Sequence, residues 1–176
     1  MEAPTPALFH FSEDPSISRF EPRPSASFPD ATPIVWAIDD ERQAHYWFPR
    51  DCPRIILWAN RETTNVDRAR FLTQSGVPKI VAVEAAWLEA IRATTLYAYH
   101  LPPATFTLHD ASAGYYISTS VVTPLGVEPV GDLLTCLTAA NIEVRITPSL
   151  HPLYDAVTAS TLAFSIIRFR NARPCR

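Results

Sequence analysis

The sequence predicts an α+β fold, with a mixed and mostly antiparallel sheet of short strands and flanking helices. Three observations carry that expectation. Short apolar runs recur along the chain, bounded by prolines and polar turn residues. Val130, Leu133, Leu134 and Leu137 follow the i, i+3, i+4, i+7 spacing of a helix face. Seventeen prolines stand against four glycines, which favours rigid, extended connections over floppy linkers.

A length of 176 residues fits one domain over 1–176 with one sizeable core. Residues 1–6 and 171–176 read as frayed tails. The chain is 47% hydrophobic and 19% charged, with a net charge of -3. That balance excludes a disordered acidic tail and a histone-like basic protein. No run approaches the roughly 18 apolar residues of a membrane helix. Met1-Glu2-Ala3-Pro4-Thr5-Pro6 has no charged and apolar leader, so a cytoplasmic protein with no membrane partner is expected.

The elements follow in order. Ala7 to Phe11 reads as a first strand. Ser12 to Asp30 is a connection in which Pro15, Pro22, Pro24 and Pro29 forbid regular ladders, with Phe20 and Phe28 pinning it to the body. Ile34 to Ile38 is a strand. Asp39 and Asp40 offer an N-cap, and Glu41 to Phe48 has helix-compatible composition. Pro49 to Arg54 is a turn, and Ile55 to Trp58 a strand. Thr64 to Thr73 reads as a short helix, Ile80 to Val83 as a strand, and Glu84 to Ala93 as a helix. Leu96 to His100, Thr105 to His109 and Tyr115 to Ser120 read as antiparallel strands. Pro129 opens a helix to Ala140, and Asn141 closes it. Ile142 to Thr147 alternates as a strand. Leu162 to Phe169 is the last apolar segment.

Four groups of residues could carry chemistry. His10 lies between Phe9 and Phe11 and faces away from both on a strand, sharing its face with Ser12. The pair is either a sheet surface or a His and a hydroxyl presented at a strand end. Asp39 to Gln43 is polar and leads into Tyr46-Trp47-Phe48. Three successive aromatics cannot share one helix face, so one of them lines a groove or a neighbouring loop. Arg50, Asp51 and Arg54 sit in a proline-stiffened turn. The arginines there either bind phosphate or carboxylate by their planar forks or pair with Asp51. Arg23, between Pro22 and Pro24, is similarly rigid. In Gly114 to Ser120, Tyr115, Ile117 and Thr119 alternate with Tyr116, Ser118 and Ser120. Their hydroxyls suit either a polar ligand or a solvent face. Glu128 follows, in a loop before a helix.

Other signatures are missing. There is no GxGxxG, P-loop, GxSxG or HExxH. Cys52, Cys136 and Cys175 are odd in number without CxxC spacing, and His45, Cys52 and His100 lack metal-ligand spacing. Free thiols and no metal are expected. The arginines of 168–176 could touch nucleic acid, but the acidic balance of the chain argues against that partner.

The stretches His10 to Ile17, Val35 to Asp39, Phe48 to Pro53 and Phe164 to Arg168, with Asn171-Ala172, resemble an uncharacterised bacterial family of small single-domain proteins. That resemblance carries no activity. A more distant likeness is to the ADP-ribosyltransferase fold in its His-Tyr-Glu branch. His10 and Ser12 are similar to that branch's first-strand His and hydroxyl. Val35 to Asp39, followed by Ala44-His45-Tyr46, resembles the unit that ends in a nicotinamide-stacking tyrosine. The family's Glu position is occupied by Tyr115.

The resemblance implies NAD as cofactor. His10 would bind a ribose hydroxyl, Tyr46 would stack on nicotinamide, and Arg23 or Arg50 would meet the pyrophosphate. Glu128 or Asp39 would have to supply the carboxylate that stabilises a developing cation. ADP-ribosyl transfer or NAD hydrolysis is then the first function. The second is a non-catalytic module holding a nucleotide or other small ligand with Ser12, Arg23, Arg50, Tyr115 and Tyr116. The third is a protein-interaction domain using Trp36, Trp47 or Trp87. Whether His10, Tyr46 and Tyr115 or Tyr116 meet on one pocket separates them.

Overall fold

Ten short strands and four α-helices form among the described residues, giving an α+β fold. The computed structural model describes residues 6–24, 32–72 and 76–174. Phe28, Thr73 and Cys175, like the tail residues 1–5 and 176, lie outside the described residues. The strands divide between two sheets, and every pair within them is antiparallel except one. The chain divides into two compact units, 1–47 with 95–130 and 48–94 with 131–176.

The first unit is built on β1 (Leu8–Ser12), β2 (Val35–Asp39), β5 (Tyr97–Leu101), β6 (Thr107–Asp110), β7 (Tyr115–Ser118) and β8 (Gly126–Pro129), in the order β6-β7-β2-β1-β5-β8. Phe9, Ile38 and Ala98 are buried on one face of this sheet, while the other carries the larger cluster. Leu8, Val35, Ala37, Tyr99 and Leu101 pack there with Phe20 and Val122, which reach the sheet from the connections. Phe20 pins the proline-rich segment by a backbone bridge to Val122. The Tyr99 hydroxyl, from a fully buried ring, donates to the Asp14 carbonyl at 2.6 Å and accepts from the Ile17 N–H at 3.1 Å.

The second unit is built on β3 (Arg54–Trp58), α1 (Asn65–Phe71), β4 (Lys79–Glu84), α2 (Leu88–Ala93), α3 (Leu133–Ala139), β9 (Ile142–Thr147), α4 (His151–Thr158) and β10 (Ala163–Ile167). Its sheet runs β10-β3-β4-β9, with β4 and β9 parallel. Ile55, Leu57, Ile80 and Ala82 point to one face. They pack with Phe71 of α1 and with Leu150, Val157 and Leu162 around α4. Thr64 caps α1 by accepting from the Asp67 N–H at 3.2 Å. That bond satisfies one of the orphan amides of the first turn.

Several elements depart from expectation. The helix expected over Glu41 to Phe48 is a single 3-10 turn, Gln43–Tyr46. Asp39 accepts from the Arg42 backbone N–H at 2.9 Å and pairs with its side chain at 3.0 Å. The chain is thereby bent into a turn before a helix can start, and Pro49 disfavours helix at Phe48. Pro129 does not open a helix. It ends β8, and α3 starts four residues later, where Asp132 accepts from the Thr135 N–H at 2.7 Å. Gly131, at φ +96°, makes the break. Asn141 takes the left-handed conformation expected of a helix end, at φ +58°. Helix α4 and strand β8 were not legible in the sequence. The tail is anchored as far as Arg173, whose N–H meets Glu84 at 3.0 Å. None of the helices is long and apolar enough to cross a membrane among the described residues.

Candidate functional site

Strand alternation sorts the residues of interest onto the two faces of the first sheet. Leu8, His10 and Ser12 share the core face, and Phe9 and Phe11 the other. His10 sits opposite buried Tyr99, with its ring 4.7 Å from Phe20. Its Nδ1 lies 3.0 Å from the Trp36 carbonyl. A carbonyl only accepts, so this nitrogen carries the proton. Ser12 accepts from the Asp14 N–H at 3.1 Å, closing the turn after β1. Ser12 thus closes the turn after β1, while His10 stands between the Trp36 carbonyl of β2 and the Phe20 ring.

Tyr46 and Tyr115 are brought together. Their hydroxyl oxygens are 2.6 Å apart, and the ring centroids 6.3 Å apart at 63°. Tyr115 lies opposite Ile38, which in turn lies opposite Phe9, so it faces away from the Leu8–Tyr99 cluster, in a row with two buried side chains. Beside it stands Trp36, 5.6 Å away and nearly perpendicular, with His109 edge-on at 5.3 Å on the indole. Trp36 remains 37% exposed. The half-exposed indole and two half-buried tyrosines make an aromatic surface on the outer sheet face.

Tyr115, Ile38, Phe9, His100 and Gly126 form one row across five strands. His100 stands edge-on to Phe9 at 5.0 Å, and its Nε2 meets Glu128 at 2.9 Å. Tyr115 and His100 are three strand spacings apart, about 14 Å. Glu128 is thus not in a loop before a helix. It lies on edge strand β8, opposite Ala98, and is engaged with His100.

The remaining expected residues do not join this surface. Tyr116 lies opposite Ala37 and packs on the core face. Arg23 is exposed and bridges Ile34 through its backbone. Arg50 belongs to the second unit, in the turn before β3. Asp39 closes β2 from behind Gly114. Burial pushes its carboxyl above the usual range, against the opposing pull of the Arg42 amide and guanidinium. Gly114, at φ +70°, lets this carboxylate approach, since a Cβ there would stand 2.6 Å from both its oxygens.

Sequence reading singled out Trp36 only as an interaction residue and passed over His109. The signal available was alternation. Val35 and Ala37 are small and buried, which turns Trp36 outward. Trp47 and Trp87 are half-buried.

In the second unit, Glu84 is fully buried and accepts from the Leu150 N–H at 3.1 Å and the Arg173 N–H at 3.0 Å. Buried Arg54 donates to the Cys52 carbonyl at 2.8 Å, with its guanidinium 5.1 Å from the Phe48 ring centre. Cys52 is inaccessible, and burial pushes its thiol up to about 12. These groups hold the β3 turn and the segment after β10 in place. Among the described residues, no three His, Cys, Asp or Glu side chains gather as metal ligands.

No curated protein and no solved structure matches the chain. Residues 9–172 match a family of unknown function, DUF6886. The match runs from β1 to beyond β10 and takes in both units, so the chain belongs to this family.

Proposed function

We propose that the protein is a non-catalytic binding module that holds a flat ligand ring against Trp36, Tyr46 and Tyr115. A nucleotide such as NAD is the first ligand to test. The observation that supports this reading is the meeting of the Tyr46 and Tyr115 hydroxyls at 2.6 Å beside exposed Trp36. Aromatic side chains with polar tips offer area for stacking and a hydrogen bond at the ring edge. Such a surface loses little entropy on binding, because its tyrosines are already held.

Turnover of NAD, as transferase or glycohydrolase, is the weaker reading. It asks for His10 and Tyr46 on one ligand, and for a carboxylate beside them. His10 faces the core side, Glu128 pairs with His100, and Asp39 pairs with Arg42.

Calorimetric titration of the full chain with NAD tests both readings. The expected result is binding that Trp36→Ala weakens about tenfold or more, with no nicotinamide released over hours. Absence of heat at millimolar NAD removes the nucleotide. Nicotinamide release that His10→Ala abolishes replaces the binding module with the enzyme.

A further inference from the structure

We propose that the turn before β3 and the segment after β10 form a binding site for a small phosphate-bearing anion, with Arg168, Arg170 and Arg173 as its cations and Arg50 at its rim. The two segments are remote in sequence and are fastened together by named bonds. Arg168 Nε donates to the Arg50 carbonyl at 3.2 Å. Asn171 Nδ2 donates to the Asp51 carbonyl at 2.7 Å. The Arg173 N–H reaches the buried Glu84 carboxylate at 3.0 Å. Phe169 stacks on Tyr154 at 4.5 Å and holds the middle of the segment down.

The backbone is bent for this arrangement. Arg168 lies in the left-handed region, at φ 55° and ψ 27°. A residue with a Cβ occupies that region at a cost. Such strain tends to collect where side chains must be aimed. Here it turns the chain out of β10 at once, so that the Arg168 side chain comes back over the β3 turn.

The outcome is a concentration of one charge. Arg50, Arg170 and Arg173 are exposed, and among the described residues of the two segments the only exposed carboxylate is Asp51, with Arg168 Nε 3.9 Å from its Oδ1. In a chain with a net charge of -3 this is a local reversal of sign. Arginine forks fit tetrahedral oxyanions with two parallel bonds each. Holding their backbone in advance lowers the ordering cost of binding. Two or more such forks suit an anion with at least two charges, which points to a pyrophosphate-like group over a carboxylate. The site lies wholly in the second unit and does not depend on the aromatic face of the first.

Titration of the full chain with inorganic pyrophosphate at low ionic strength tests the proposal. The expected dissociation constant lies below about 1 mM and rises about tenfold or more in the Arg170→Gln/Arg173→Gln variant. The melting temperature should stay unchanged, since both side chains are exposed. Affinity should also fall steeply as salt is added. The proposal is overturned if no heat appears at millimolar pyrophosphate, or if the double variant binds as the wild type does. It is overturned as well if a short oligonucleotide binds far more tightly than pyrophosphate through the same arginines, which would make the surface one for nucleic acid.

Discussion

The hydroxyls of Tyr46 and Tyr115 meet at 2.6 Å, joining a 3-10 turn to strand β7 across 69 residues of sequence. The bond holds Tyr46 against Tyr115, whose ring stands beside Trp36. Tyr115→Phe should cost about 1 kcal/mol and lower the melting temperature by about 2–4 °C for a chain of this size. If the bond carries the effect, Tyr46→Phe in that background should add little, as a thermal double-mutant cycle would show. Additive losses would mean that the two hydroxyls act independently.

Gly114 is the one position in that hairpin where a side chain has no room. An added Cβ would meet the Asp39 carboxylate and the Arg42 Cδ at 2.6 Å, in a backbone already at φ +70°. Gly114→Ala should destabilise by about 2 kcal/mol or more, combining left-handed strain with displacement of the Asp39–Arg42 pair. Chemical denaturation would read the loss. A neutral result would show that the Asp39 and Arg42 side chains move aside freely.

Buried Glu84 ties the start of α4 and the Arg173 amide to the end of β4. Glu84→Ala would leave both amides without this acceptor. A loss of about 3 kcal/mol or more is expected. Hydrogen exchange should quicken at Leu150 and Arg173 first. Uniform quickening across the chain would contradict a local clamp.

Acid should loosen the starts of α1 and α3 in the second unit. The Thr161 hydroxyl, then its amide, holds the Asp67 carboxyl below the usual carboxylate range, and the hydroxyl and amide of Thr135 do the same for Asp132. A carboxylate with a depressed folded value adds stability above its unfolded value and loses it as pH falls through the folded one. The contribution of these two carboxylates should therefore be flat above about pH 5 and decline below about pH 4. Asp67→Asn should be less stable at neutral pH but show a shallower acid decline in melting temperature. An acid decline as steep as the wild type's would remove Asp67 from the account. Asp39 works the other way, since its raised value favours protonation in the folded state.

Cys52 should resist alkylation in the native protein. Its thiol is inaccessible and pushed up to about 12, so thiolate is scarce near neutral pH. Peptide mapping after iodoacetamide treatment should find it unmodified until denaturant is added, while half-buried Cys136 reacts before it. Early modification of Cys52 would show that the β3 turn opens readily.

Much of the element pattern was legible because local rules carried it. Thr64 capped a helix as its hydroxyl allows, and Asn141 took the left-handed turn that its side chain tolerates. The elements that escaped were those decided by partners. Pro129 resembles a helix start, yet pairing with Tyr97 makes it the end of an edge strand. Glu41 to Phe48 has helical composition, yet the Asp39 carboxylate captures Arg42 and ends the attempt after one 3-10 turn.

The candidate site divides in the same way. Alternation alone placed His10 with Ser12 and Tyr115 apart from Tyr116, because successive side chains on a strand must point to opposite faces. It could not say which face Phe20 and Val122 would cover. Phe20 and Val122 come from distant connections, and by packing beside Leu8 they enclose the His10 side and leave the Trp36 side partly open. Periodicity and turn chemistry are local, so they set the α+β class, most of the strands and which residues share a face. Tertiary structure decided the two sheets, the Tyr46–Tyr115 contact and the joining of the Arg50 turn to the arginines after β10. Each of these is a pairing between segments far apart in the chain, stabilised by burial and hydrogen bonds that no short window of sequence contains.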